Sequence, residues 1–321
     1  MTTILISAIG GDIAQATASI VRESFPDWKI IGIDQDTRHG GSLYVDVFSS
    51  APSANSPNYL DWLQKFIETH GIDYCLAMSE AELSVLARND SNQIGRARLL
   101  WAGGKMTLIG CDKLETANFL KSIGVPAPWT LAATEDVAPP SFPCIFKLRN
   151  SSGSKAVFRC SSIEEVHFYR TRYPAAVLQE FLPEADKEVT CAVYRTNTGT
   201  TYVLQLLRRL SGGFTNWAMV IDDPAISAQC SRVAEAVDLK GAINVQLRLT
   251  PHGPRIFEIN PRLSSTVLMR HMAGYTDVKW MIDEALGHSV FPRMPIPGII
   301  LSRTQGAAVL PSSDANAPKF N

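Results

Sequence analysis

The chain has 321 residues with 30 basic and 31 acidic side chains; the formal net charge of −1 argues against a polyanion partner or an anionic membrane surface held by bulk charge. Its 45% hydrophobic and 19% charged residues exclude a disordered chain and supply apolar material for two or three lobes. No apolar run approaches the roughly 20 residues that span a bilayer. Met1-Thr2-Thr3 enters a strand-like run without a basic leader, so the expected location is the cytoplasm, with neither nucleic acid nor membrane as partner. Cys75, Cys111, Cys144, Cys160, Cys191 and Cys230 are widely spaced, with no C-x-x-C pair, and read as reduced core thiols.

Residues 1–105 alternate between strand and helix patterns. Residues 3–9 form a short apolar run, Gly10-Gly11 breaks it, and residues 12–24 have helical spacing. A second strand is expected over 29–34, a helix over 59–69 and a third strand over 73–78. Ser79 with Glu82 forms a capping-box signal for the next helix. This rhythm predicts a doubly wound parallel sheet. Gly10-Gly11 followed by Asp34 raises dinucleotide binding, but the loop is not G-x-G-x-x-G, and Asp12 would set a carboxylate where a pyrophosphate belongs. A tight turn with Asp12 as helix cap accounts for the same residues.

Past residue 105 the pattern becomes mainly antiparallel. Asp112 opens a helix reaching Gly124; strands are expected over 144–149 and 156–160, and Ser162 with Glu165 caps a helix to 173. Further strands are expected over 177–182, 188–196 and 200–210, a helix over 226–239, a hairpin formed by 242–249 and 255–260, and a helix over 277–286. The tail from 302 is polar and rich in small residues, with an end expected to be disordered. These shifts divide the chain at 1–105, 106–175, 176–301 and 302–321.

The hairpin carries the most chemical information. Side chains alternate faces along a strand, so Asn244, Gln246 and Arg248 share one face, as do Glu258 and Asn260, while Phe257 and Ile259 point the other way. Pairing the strands gathers Gln246, Glu258 and Asn260, with Arg262 just beyond; Arg248 lies two residues nearer the turn and is expected to matter much less. One carboxylate and two amide carbonyls on strands suit Mg²⁺, which leaves its other positions to water and phosphate. An ordinary hairpin with a solvated polar face shows the same alternation. What tips the balance is the order upstream: Lys113, then Lys147 in an apolar strand where a buried ammonium needs an anion, then the small-residue loop at Ser152, Gly153 and Ser154.

In its Asn244-Val245-Gln246 and Glu258-Ile259-Asn260-Pro261-Arg262 segments the chain resembles the ATP-grasp superfamily, in wording like the carbamoyl-phosphate synthetase large subunit and related carboxylate–amine ligases. The resemblance extends to about Gly287. It implies an ATP-grasp fold: an N-terminal doubly wound domain and two α+β lobes enclosing ATP. It implies Mg²⁺ as two ions, with Mn²⁺ able to substitute, Gln246 on the first ion, Asn260 on the second and Glu258 bridging them. Arg262 would contact the transferring phosphate, and Lys113 and Lys147 would bind phosphates. Ser152, Gly153 and Ser154 would form a lid. Glu180, Phe181 and Leu182 would be the adenine hinge, and Glu188 the ribose carboxylate. The implied activity is an ADP-forming ligase that makes an acyl phosphate and passes the acyl group to an amine or thiol. A carbamoyl-phosphate-synthetase-like enzyme and a non-catalytic ATP-binding regulator are the alternatives. The expected partners are small-molecule carboxylate and amine substrates, with a homodimer as a possible assembly. Arg208 and Arg209 are candidates for the acyl phosphate or a substrate carboxylate, and Arg270 and His271 for an acceptor pocket.

Overall fold

A computed structural model describes residues 1–89, 91–134, 136–150, 156–183, 185–304 and 306–310; the expected lid residues Ser152, Gly153 and Ser154 lie outside this set. The first sheet comprises β1 (Thr3–Ser7), β2 (Lys29–Asp34), β3 (Val47–Ser50), β4 (Tyr74–Leu76), β5 (Gln93–Ile94) and β6 (Ala97–Leu99), in the order β3-β2-β1-β4-β6-β5. All pairings are parallel except β5 with β6. Helices α1 (Asp12–Ser24), α2 (Tyr59–His70) and α3 (Glu80–Arg88) alternate with these strands. Ile4, Ile6 and Ile30 face α1, whereas Leu5, Ile31 and Ile33 face α2 and α3. Both faces are buried, which explains the uninterrupted apolar run of β1 and the doubly wound architecture.

Two local expectations change. Asp12 is the first residue of α1, after a Gly11 N-cap, and pairs with Arg303 at 3.2 Å instead of capping. Ser79 does cap α3, accepting the Glu82 N–H at 3.2 Å. Glu82, however, turns inward, where the hydroxyls of Ser7 and Tyr59 donate to it. Burial raises its pKa.

Helices α4 (Gly104–Gly110) and α5 (Lys113–Ser122) lead to the second sheet, β7 (Thr130–Ala132), β8 (Cys144–Leu148), β9 (Val157–Cys160) and β10 (Ala176–Glu180), in the order β7-β10-β8-β9 and covered by α6 (Ile163–Arg172). Because β10 pairs with both β7 and β8, the expected boundary at 175 is moved past Glu180. The third sheet contains β11 (Glu188–Arg195), β12 (Thr201–Ser211), β13 (Phe214–Ile221), β14 (Gly241–Thr250), β15 (Gly253–Asn260) and β16 (Ile300–Ser302), ordered β15-β14-β11-β12-β13-β16. Sequence patterning did not reveal β13. Gly212 and Gly213, at φ +58° and +84°, make the turn into it. Helix α7 (Pro224–Ala236) starts at Asp223-Pro224, earlier than expected, because the Asp223 carboxylate accepts the Ala225 N–H at 2.8 Å.

Helices α8 (Val267–Met272) and α9 (Asp277–Ala285) join the third sheet to α1, so that Ile4 and Ala18 share a core with Tyr194, Val220 and Ile282. The expected tail starts as paired structure. β16 adds to β13, and Arg303 donates to the Thr215 carbonyl at 3.1 Å and to the Ser265 carbonyl; residues 311–321 are outside the described set.

Candidate active site

Strand β14 lies between β15 and β11, and this placement sets the site. Asn244 pairs with Asn260 and Gln246 with Glu258, while across the other edge Gln246 faces Thr190 and Arg248 faces Glu188. Ile243, Val245 and Leu247 turn into the core with Ile256 and Ile259. Their polar neighbours line a cavity of 320 Å³ between the second and third sheets. The register shifts after Gln246, so that Leu247 opposes Ile256 and Phe257 becomes an extra residue. This β-bulge corrects the expected facing of Phe257: it lines the cavity instead of sharing the core side with Ile259. Its ring lies 5.9 Å from the Lys147 ammonium and 5.7 Å from the Arg248 guanidinium.

Five basic side chains (Lys113, Lys147, Arg208, Arg248 and Arg262) and three carboxylates (Glu180, Glu188 and Glu258) line this space, so it favours an anion. Lys147 is only 5% exposed and donates to the neutral Gln179 Oε1 at 2.8 Å. Burial pushes its pKa down to about 8; Glu258 pulls it up and Lys113 pushes it further down. An ammonium held there with no contacting carboxylate among the described residues fits an incoming phosphate. Lys113 is brought beside it because its N–H donates to the Arg149 carbonyl, one residue past β8, at 3.1 Å.

Glu258 and Asn260 form the oxygen cluster. The Asn260 amide donates to Glu258 Oε1 at 3.1 Å, which turns its carbonyl oxygen away from that bond. Asn244 accepts from Thr190 Oγ1 at 2.8 Å, and its own amide nitrogen is buried with no hydrogen-bond partner among the described residues. A carboxylate and amide oxygens fixed on two paired strands form a hard donor set, and the residues present fit Mg²⁺.

The remaining site candidates fall into two groups. Phe181 and Leu182 line the cavity. Arg262 also lines it, and Glu80 of α3 holds it at 3.0 Å. Glu188 faces the cavity in ion pairs with Arg208 at 2.6 Å and Arg248 at 2.5 Å. Arg208 is thus a buried partner of Glu188, and Arg209, the next residue on the strand, points outward over Trp217 and leaves the site. The Glu180 carboxylate is engaged by Arg255 at 2.7 and 2.8 Å and by the Trp129 N–H at 3.2 Å, so any hinge role falls to its backbone. Arg270 is 1% exposed and paired with Asp277 at 2.6 Å, and His271 sits 3.5 Å from Glu23; neither lines the cavity. Sequence reading missed Phe257, Asn244 and Glu80 as site neighbours and set Arg248 aside. Only Asn244 and Arg248 carried a signal, their shared face with Gln246.

Residues 172–306 match the family described as ATP-grasp in the biosynthetic pathway with Ter operon. Over 235 residues the chain is 27% identical to the carbamoyl phosphate synthase large chain of Pyrococcus furiosus, a match covering 65% of this chain and 22% of that protein. The chain therefore spans about a fifth of that relative's length. Its fold is similar to an ADP complex of N5-carboxyaminoimidazole ribonucleotide synthetase, with TM-score 0.74, 19% identity and coverage of 93% and 80% of the two chains. It is also similar to the biotin carboxylase domain of the Hydrogenobacter thermophilus 2-oxoglutarate carboxylase (TM-score 0.75, 15% identity, 94% and 74% covered). The L-amino acid ligase of Bacillus licheniformis is a third such structure (TM-score 0.71, 14% identity, 92% and 73% covered). The chain has the ATP-grasp fold, and its residues 172–306 match the model of an ATP-grasp family.

Proposed function

We propose that the chain is an ADP-forming ligase that phosphorylates a carboxylate with ATP and transfers the resulting acyl group to an amine. The supporting observation is the convergence of Glu258, Gln246 and Asn260 with the buried Lys147 on one cavity. Phe181 and Leu182 with the Glu180 backbone would hold adenine, Glu188 the ribose, and Lys113, Lys147 and Arg262 the phosphates. Gln246, Glu258 and Asn260 would hold Mg²⁺, which when bound screens phosphate charge and polarises the γ-phosphoryl group. The lid role of Ser152, Gly153 and Ser154 belongs to the same proposal.

The chemistry follows from charge placement. A carboxylate oxygen attacks the γ-phosphorus in line with the departing ADP oxygen, while Lys147 and Arg262 offset the charge that develops on the phosphoryl oxygens. The neutral amine then attacks the acyl carbon, the acyl C–O bond to phosphate breaks, and the proton the amine gives up is carried off by the departing phosphate. Lys147 acts as a charge partner and Arg262 as a donor paired with Glu80 at 3.0 Å.

The test is ADP release across a panel of carboxylic acids with pooled amino acids and amines as acceptors. A carboxylate that accelerates ADP release only when an amine is present is the expected result; acceleration by no carboxylate would overturn the assignment. A second reading has bicarbonate as the carboxylate. It is favoured by the 27% identity to a carbamoyl phosphate synthase large chain, and the same screen includes it.

A further inference from the structure

Arg248 was set aside in the sequence, yet its guanidinium reaches two members of the nucleotide set. Nη2 donates to Glu188 Oε2 at 2.5 Å and Nη1 to the Leu182 carbonyl at 2.5 Å. From the opposite side Arg208 donates through Nε and Nη2 to Glu188 Oε1 at 3.0 and 2.6 Å. The sheet produces this arrangement. Arg248 is the β14 residue directly opposite Glu188, and Arg208 follows Leu207, the β12 partner of Val189. Three adjacent strands thus present Arg, Glu and Arg across the cavity floor.

A carboxylate offers about four acceptor positions, two on each oxygen. The guanidinium bonds occupy both on Oε1 and one on Oε2. One position remains, on the oxygen that Arg248 holds. We propose, resting on the nucleotide reading above, that Arg248 is a specificity-determining positioning residue: together with Arg208 it leaves Glu188 a single acceptor position, so the site reads one ribose hydroxyl and not both. Through the Leu182 carbonyl the same guanidinium fixes that position relative to the hinge. The Phe257 ring beside it at 5.7 Å limits its swing.

The test is calorimetric titration with the magnesium complexes of ATP, 2′-deoxy-ATP and 3′-deoxy-ATP. In the wild type one deoxy analogue should bind within about twofold of ATP and the other about tenfold or more weaker, the scale of one hydrogen bond to a charged group. In Arg248→Ala, Oε2 regains a second position and Glu188 loses its fixed aim, so the two analogues should converge to within about twofold of each other. Arg248→Lys keeps the charge but cannot span both acceptors; it carries the same test if the alanine variant does not fold. A merely structural arginine would lower stability or overall affinity and leave the ratio of the two analogues unchanged, and that result overturns the inference. Equal losses for both analogues in the wild type, or none for either, also overturn it while leaving ATP binding intact. No titration signal from ATP itself overturns the nucleotide reading first and this inference with it.

Discussion

Two clefts in this molecule offer themselves to a nucleotide, and they differ in what their polar groups lack. At the carboxyl ends of β1 and β2 the topology resembles a dinucleotide site. There Asp34 already accepts the Gly10 N–H at 2.8 Å, and a Cβ at Gly10 would meet the His39 ring at 2.5 Å. Nearby, Ser7 and Tyr59 satisfy the buried Glu82. The β14–β15 cleft is the reverse case. Its lysine is buried against an amide, its pKa is pushed down, and the amide nitrogen of Asn244 and Nε of Arg248 have no partner among the described residues. In the first cleft the carboxylates of Asp34 and Glu82 are already engaged by the fold, with His39 Nε2 the buried atom left without a hydrogen bond among the described residues. In the second a buried ammonium and a buried amide are left for a ligand to complete.

The largest expected effect that would break this contrast lies at Glu258. Glu258→Gln preserves shape and removes the cluster's negative charge, so ADP formation should fall more than about a hundredfold, the scale for misplacing reacting groups by an ångström. Circular dichroism should stay native. A folded variant with near-native turnover would remove the hairpin from the chemistry.

Next comes Lys147. Lys147→Met should weaken Mg-ATP by about tenfold to a hundredfold, as expected for lost charge-assisted hydrogen bonds, and Lys113→Ala by less. Calorimetric affinities check the order, and equal, negligible losses would misplace the phosphate site. Arg248→Ala, predicted from the sequence to matter little, should now weaken ATP binding measurably because it holds both Glu188 and the Leu182 carbonyl.

A pH measurement sharpens the contrast further. In the ligand-free protein Lys147 sits near 8, below the ordinary 10.5. The unfolded chain therefore binds more protons between those values, and the adverse contribution of Lys147, full below about 8, fades as pH rises through that window. Wild-type stability should gain on Lys147→Met as pH rises from 8 to 10. A triphosphate would restore the charge, so ATP binding above pH 8 should take up a proton, detected as a dependence of binding heat on buffer ionisation enthalpy.

The smallest effect belongs to the first cleft. Asp34→Asn should cost about 1 kcal/mol in denaturant unfolding and leave ATP affinity unchanged.

Much of this was legible in the chain itself, for identifiable reasons. The apolar runs of β1 and β2 and the Ser79, Asp112 and Ser162 caps are local signals, and they located the doubly wound sheet and helices α3, α5 and α6. Strict alternation put Gln246, Glu258 and Asn260 on one face. It failed at Phe257 because a bulge is a property of two strands, which neither strand shows alone. The Arg248–Glu188–Arg208 row spans three strands far apart in sequence, and Arg262 with Glu80 joins two lobes, so both needed the tertiary structure. Arg209 was misassigned because neighbouring arginines on a strand must face opposite ways.

The most direct test of the central claim is the thermal unfolding of the wild-type protein with Mg-ATP and, separately, with NADH. At about 100 times its dissociation constant Mg-ATP should add about 2.7 kcal/mol of stability and raise Tm, while NADH should leave Tm unchanged. Stabilisation by NADH with no response to Mg-ATP would place the nucleotide in the first cleft and contradict the account.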